Sequence, residues 1–225
     1  MIRDAGSLVI AKPYGVVTVQ RDSRYVGLEE QWRRGAWMQI NRYEPGLAAL
    51  NGRMYAAGGY GAGDSSLSSV EMYDPSSDAW SAVAALPVGL AHLAMVGCGG
   101  RLYAFGGERS DGVDASNWAL AYDPAANAWS RLADMPTARG RCVACVGPSG
   151  LIYVIGDLVM RRSDPGCVCL DGRLYVLGGY ADENGNDLDS IEVYDEEADL
   201  WALHECRLPQ ARSAFGCAVM KLRRG

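Results

Sequence analysis

Short apolar runs separated by turn-forming residues follow one another along nearly the whole chain, too brief for helices and spaced as strands are. Residues 46–83 show the order most clearly. GLAAL (Gly46–Leu50) is a compact apolar run, Asn51-Gly52 after it supplies the positive-φ residues of a tight hairpin, and RMYAA (Arg53–Ala57) reads as the returning strand. Gly58 and Gly59 then mark a point where the backbone needs positive φ or a close approach that a side chain would forbid. After a polar loop, SSVEMY alternates as a third strand, DPSSD is turn chemistry, and AWSAV (Ala79–Val83) makes a fourth. The unit is a four-stranded antiparallel meander.

This unit recurs. NGRMYAAGGY (51–60) returns as GGRLYAFGGE (99–108), SGLIYVIGDL (149–158) and DGRLYVLGGY (171–180), with starts 48, 50 and 22 residues apart. A Tyr and a Trp seven apart recur as Tyr73 and Trp80, Tyr122 and Trp129, Tyr194 and Trp201, with a degenerate copy at Tyr25 and Trp32. A unit of about 48 residues carrying a diglycine (Gly58-Gly59, Gly106-Gly107, Gly178-Gly179) and this aromatic pair resembles the kelch repeat, whose copies are blades of a β-propeller.

The resemblance implies an all-β chain: a kelch-type β-propeller of four-stranded antiparallel blades, forming a single domain over 1–225. About five blade units are expected, at 38–86, 87–135, 136–160, 161–208, and 1–37 completed by a C-terminal first strand within 209–220, as this family closes its ring. SLVIAKPYG is read as a worn second strand. The unit at 136–160 is expected to be truncated. Trp129 and Trp201 are 72 residues apart, whereas two periods need roughly 97, and LVMRRSDPGCVCLDG (158–172) passes directly to the next first strand. Third and fourth strands are missing near 157–165, which leaves the outer edge of 151–156 uncovered.

Side-chain size fits a wedge. First strands carry Gly, Ala and Cys, as in CVACV (142–146), CVCL (167–170) and FGCAV (215–219), while Tyr and Trp sit further out, where blades splay and aromatics supply most of the burial. The repeated Gly, Tyr and Trp residues are framework.

Composition narrows the function. A net charge of −6 and a pI near 5.0, without a basic stripe, disfavour nucleic acid. No apolar run approaches the roughly 20 residues of a membrane span, and the N-terminus lacks a signal-peptide core, so the cytoplasm is expected. The seven Cys fall mostly in first strands as small apolar filler. Cys142 and Cys145, three apart in a strand, point to opposite faces and make a poor chelate, so no metal or cofactor is expected. With two His, His92 and His204, and no catalytic motif beside either, no enzyme is expected.

Function on such a framework belongs to the loops at one end of the ring. Thirteen residues before the second-strand Tyr stand Arg42, Leu90 and Arg162; Arg139 joins them after one inserted residue, and PTAR (136–139) matches PQAR (209–212), adding Arg212. In kelch substrate adaptors such arginines line the mouth and bind acidic segments, so the resemblance gives that role to Arg42, Arg139, Arg162 and Arg212, with Arg141 nearby. Guanidinium forks suit carboxylates. The bland reading is that these arginines bond loop carbonyls and tie blades together. The expected function is protein-protein interaction, as the substrate-recognition domain of a cullin-type ubiquitin ligase adaptor without its BTB and BACK parts. The alternatives are an actin-binding scaffold and, less favoured, a kelch-fold sugar epimerase or oxidase.

Overall fold

The computed structural model describes residues 7–12, 15–20, 31–34, 36–111, 115–147, 149–155, 162–181, 185–195, 198 and 200–213, the first three segments as strands only. All regular structure in them is β. One four-stranded antiparallel sheet is β4 (Gly46–Leu50), β5 (Arg53–Ala57), β6 (Val70–Asp74) and β7 (Ala79–Val83), following β1 (Ser7–Lys12), β2 (Gly15–Gln20) and β3 (Gln31–Arg34), which form a three-stranded sheet. Next come β8 (Ala94–Cys98), β9 (Arg101–Phe105), β10 (Ala119–Asp123) and β11 (Ala128–Arg131), again four-stranded. Among the described residues, β12 (Val143–Val146) and β13 (Ile152–Ile155) pair only with each other. β14 (Gly166–Leu170), β15 (Arg173–Leu177), β18 (Ser190–Asp195) and β19 (Leu200–Arg207) form the last four-stranded sheet, with a short pair, β16 (Tyr180–Ala181) and β17 (Asn186–Asp187), on the loop between β15 and β18.

The meander read from Gly46–Leu50 to Ala79–Val83 matches β4 to β7, and in each full blade the paired aromatics face each other across the last two strands, Tyr73 opposite Trp80, Tyr122 opposite Trp129 and Tyr194 opposite Trp201. Their ring centroids lie 5.1 to 5.4 Å apart. The indole N–H of Trp129 donates to the carbonyl of Ala84 at the end of the preceding blade (2.9 Å), as Trp80 does to Ala36 (3.1 Å). Trp80 and Trp129 thus each fill their own blade and fasten it to the one before.

Inner strands lie side by side in chain order, β4 against β8, β8 against β12 and β12 against β14. Crowding there accounts for the small residues: a Cβ on Gly97 of β8 would collide with the carbonyl of Ala49 in β4. Outward of this line one apolar slab joins Tyr55, Val70 and Leu50 of the first full blade to Met95, Leu102, Leu120 and Tyr122 of the next, and a second joins Cys145 and Ile155 to Leu174 and Val176. Burial of this kind contributes about 25 cal/mol per Å² of apolar surface.

The diglycines have a steric cause. Gly58 and Gly106 take φ of 64° and 65°, and a Cβ on either would run into the carbonyl oxygen of Leu90 or Arg139 in the next blade. The second glycine of each pair donates its N–H to that same carbonyl, Gly59 to Leu90 and Gly107 to Arg139 at 2.8 Å, and Gly179 does so to Arg212 at 2.9 Å.

Ser7–Lys12, read as a worn second strand, pairs with Gly15–Gln20, a β-branched apolar run able to make the hairpin, and Gly15–Gln20 pairs in turn with Gln31–Arg34. Tyr25, and the closing strand expected within 209–220 from residue 214 onward, lie outside the described residues. The unit after Arg139 has two strands among the described residues, and no strand pairs with the outer edge of β13 there. Its face is nonetheless packed: Ile155 is buried, and the Tyr153 ring stands 6.2 Å from Tyr194. Leu151, just before β13, is exposed.

Candidate functional site at the inner rim

Because strands alternate in direction, the loop before each first strand and the loop after each second strand meet at one end of the blade. Backbone bridges fasten them there: Tyr43 to Tyr60, Ala91 to Glu108 and Ser163 to Tyr180. This end carries all five arginines singled out in the sequence, and the structure divides them.

Arg42 and Arg162 are not on the mouth. Arg42 Nη1 donates to the carbonyls of Gly58 (2.7 Å) and Ser69 (2.8 Å), and its Nη2 to Ser69 Oγ and Glu71 Oε1, both at 2.9 Å. Arg162 repeats the set with Gly178 (2.7 Å), Ser190 (3.2 and 3.1 Å) and Glu192 (2.5 Å). Both guanidinium groups and both carboxylates are sealed inside the blade. A partner-binding role for Arg42 and Arg162 is therefore corrected: they staple the second strand to the third, and a group with all its forks turned inward presents nothing to a ligand. Arg139 is half-buried, Arg212 is exposed, and Arg141 Nε pairs with Glu108 Oε1 at 2.9 Å with nearly half of its side chain exposed.

The residues that converge on the axis stand two positions further on. Glu44, His92, Arg141 and Asp164 each occupy the second position before an inner strand, and each is in the left-handed region, with φ of 54°, 51°, 55° and 49°. That conformation is disfavoured for side-chain-bearing residues, and its recurrence in four blades shows that the neighbouring backbone imposes it. The His92 N–H donates to the Glu44 carbonyl and the Arg141 N–H to the His92 carbonyl, both at 3.1 Å, which links three blades around the rim.

His92 is the centre of this rim. Its side chain is 1% exposed. Nε2 lies 2.6 Å from Glu44 Oε2 and 3.8 Å from Glu108 Oε2, and Nδ1 lies 3.3 Å from Asp164 Oδ1. The edge of the ring meets Tyr60 at 5.7 Å, and Tyr60 donates its hydroxyl to Glu108 Oε2 at 3.1 Å. Electrostatics follow from this crowding. Burial raises the Glu44 carboxyl, with His92 pulling the other way. The Tyr60 phenol is raised by burial and by the Glu108 charge, and Tyr43 is pushed up to about 12 chiefly by its hydrogen bond to Asp64. Arg141 is raised: burial pulls it down, but the Glu108 hydrogen bond and charge outweigh that.

The rim is thus a mixed cluster with three carboxylates, and not the uniformly positive ring that counting arginines suggested. One signal was available in the sequence. Glu44, His92 and Asp164 each stand eleven residues before a second-strand Tyr, an offset as regular as the one that picked out Arg42 and Arg162.

Comparison with known proteins agrees with this geometry. A family model described as the Kelch motif matches residues 41–87, 89–136 and 161–203, together more than half of the chain. The chain belongs to the kelch-repeat family. The matched kelch motifs coincide with the three full blades and leave the two-stranded unit between them. Among curated kelch relatives, Kelch-like protein 35 of Mus musculus is 34% identical over 185 residues, covering 73% of this chain and 31% of the relative. Kelch-like protein 38 and Kelch-like protein 23 of Homo sapiens are each 27% identical, covering 85% and 87% of this chain and 36% and 38% of theirs. The chain spans about a third of the length of these relatives. A solved structure titled "Structure of YjhT" superposes with a TM-score of 0.71 over 96% of this chain and 87% of that one, at 12% identity, a likeness of fold alone. Kinship with the kelch-like proteins makes this a kelch-repeat domain.

Proposed function

We propose that this domain is the substrate-recognition part of a cullin-type ubiquitin ligase adaptor acting in the cytoplasm, and that it takes an acidic segment of its partner protein against the loop end of the blades. The observation that carries this reading is the convergence there of loops from four blades, held by left-handed backbone and cross-bridged pairs, so that charged side chains are offered on a rigid base. Arg139, Arg141 and Arg212 are the groups assigned to the partner's carboxylates. Arg141 pairs with Glu108 at the edge of the acidic centre, and the segment lies along the arginines and away from Glu44.

Affinity capture tests this. Partners recovered by the wild-type domain should be lost by an Arg139→Ala, Arg212→Ala double variant, and binding should weaken steadily as salt rises past physiological ionic strength. Retention of the same partners, or binding indifferent to salt, contradicts the acidic-segment reading. For the ligase role, the natural gene product carrying this domain should co-purify with a cullin; a product that recovers partners but no cullin keeps the recognition role and loses the adaptor role.

A further inference from the structure

We infer that Cys145 and Cys167 are a modification site: oxidised by a hydroperoxide, they form a reversible disulfide that clasps the two-stranded unit to the blade after it. The inference does not depend on which protein the domain recognises.

Position comes first. Cys145 lies on β12 opposite Tyr153 of β13, and Cys167 lies on β14 opposite Val176 of β15. The two inner strands are neighbours, and both thiols belong to the apolar slab that joins these units. The register gives the corresponding pairs at the two preceding inner-strand contacts: Ala48 and Met95 between β4 and β8, and Val96 and Ala144 between β8 and β12. Packing at this place is thus met by side chains without a thiol. Of the three contacts, only the last sets two thiols against each other.

The Cys167 thiol donates a hydrogen bond to the Cys145 sulfur, and that bond holds the Cys145 thiol below its ordinary range against the opposing pull of burial. Both thiols are free, Cys145 being 7% exposed and Cys167 half-buried. Sulfurs already in hydrogen-bond contact need only a side-chain rotation and a slight approach of the strands to reach a bond of about 2.05 Å. Hydrogen peroxide, scarcely larger than water, suits a thiolate with so little surface.

In the first step the Cys145 thiolate attacks one peroxide oxygen. The S–O bond forms, the O–O bond breaks, and the departing hydroxide takes up the proton that Cys145 released, leaving as water. The Cys167 sulfur then attacks the sulfenic sulfur; the S–S bond forms, the S–O bond breaks, and hydroxide leaves with the Cys167 proton as a second water. The two sulfurs lose the two electrons that the peroxide gains. Among the described residues the unit of β12 and β13 has only two strands, so a covalent tie from β12 to β14 restrains the least supported part of the row of blades. In a reducing compartment the bond is transient, undone by thiol exchange once the oxidant is gone.

The full chain, reduced, desalted and exposed to a few equivalents of hydrogen peroxide, is blocked with N-ethylmaleimide and digested with trypsin without reductant. Trypsin leaves Cys142 and Cys145 on one peptide and Cys167 and Cys169 on another, so serine variants assign the link. Mass spectrometry should find the two peptides joined in wild type, Cys142→Ser and Cys169→Ser, and separate in Cys145→Ser and Cys167→Ser. Oxidation should raise the wild-type melting temperature by about 5 °C, dithiothreitol should reverse the rise, and Cys167→Ser should show none. Peptides that stay separate while Cys206 is oxidised, a link that persists in Cys167→Ser, a link that leaves the melting temperature unchanged, or Cys145 found as sulfinic acid without a link overturns the inference. Should Cys145→Ser fail to fold, the half-buried Cys167 position decides the matter without it.

Discussion

The guanidinium of Arg42 and the carboxylate of Glu71 lie 2.9 Å apart with no solvent access to either, and in the following blade the same two positions are Leu90 and Leu120, both equally buried. The ion pair returns as Arg162 and Glu192. Within one chain, then, the same place in the blade is filled either by a buried charge pair or by two leucines. Both solutions are self-consistent, because a buried charge is costly only when its partner is missing.

That internal exchange predicts non-additive mutations. Arg42→Ala should destabilise by about 3–5 kcal/mol, since it strands Glu71 in the interior. The double change Arg42→Leu with Glu71→Leu should recover at least half of that loss in urea unfolding, though not all of it, because Glu71 also accepts the backbone N–H groups of Gln39 and Ile40. Equal loss in the single and double variants would show that the pair is not the source of the stability.

The glycine contacts predict a contrast between two substitutions of the same kind. Gly52 and Gly106 both have positive φ, but nothing stands within 4 Å of a Cβ on Gly52, whereas one on Gly106 meets the Arg139 carbonyl. Gly52→Ala should therefore cost only the backbone strain, about 1–2 kcal/mol. Gly106→Ala should cost several times more and separate the blades it joins. Thermal melts of the two variants side by side check the ordering.

Blade architecture was legible because it rests on local rules: turn residues set the hairpins, alternation sets the strands, and the aromatic pair sets the register. The rim was legible only in part. Sequence offset placed Arg42 and Arg162 in the correct loop but carried no information on side-chain direction, and both turn inward onto Glu71 and Glu192. Nor did any one motif announce His92, whose neighbours Glu44, Glu108 and Asp164 come from three blades. Gly15–Gln20 went unread as a strand because it lacks the repeat's aromatic marker.

Acid should loosen the ends of the blades opposite the rim. Asp74 is lowered by hydrogen bonds from Ser76, Asp78 by one from the Tyr73 hydroxyl, and Asp123 by the backbone N–H groups of Ala125 and Ala126. A carboxyl lowered in the folded state contributes stability that is present above its unfolded value, about 3.9, and is lost as pH falls through the folded one. Stability should hold from neutral pH down to about 4 and fall below it. Asp78→Asn should flatten that fall, and a variant with an unchanged acid limb would contradict the assignment.

Thiol reactivity should follow burial. Cys142 is pushed up to about 11 by burial and is protonated at neutral pH, while Cys206 is exposed. Iodoacetamide at pH 8 should modify Cys206 rapidly and leave Cys142 untouched until the chain is unfolded, as mass spectrometry of the peptides will record. Early labelling of Cys142 would mean that the contact between β8 and β12 opens readily.

The central claim is that recognition occurs at the loop end of the blades. It is tested most directly by measuring the affinity of one captured partner for two paired variants. Arg139→Ala with Arg141→Ala alters the loop end, and Arg53→Ala with Arg101→Ala alters the opposite end, where both side chains are exposed and paired with Asp74 and Asp123. The account predicts at least a tenfold loss for the first pair and no change for the second. Loss confined to the second pair, with the loop-end variant binding as wild type, would place recognition on the other face and contradict it.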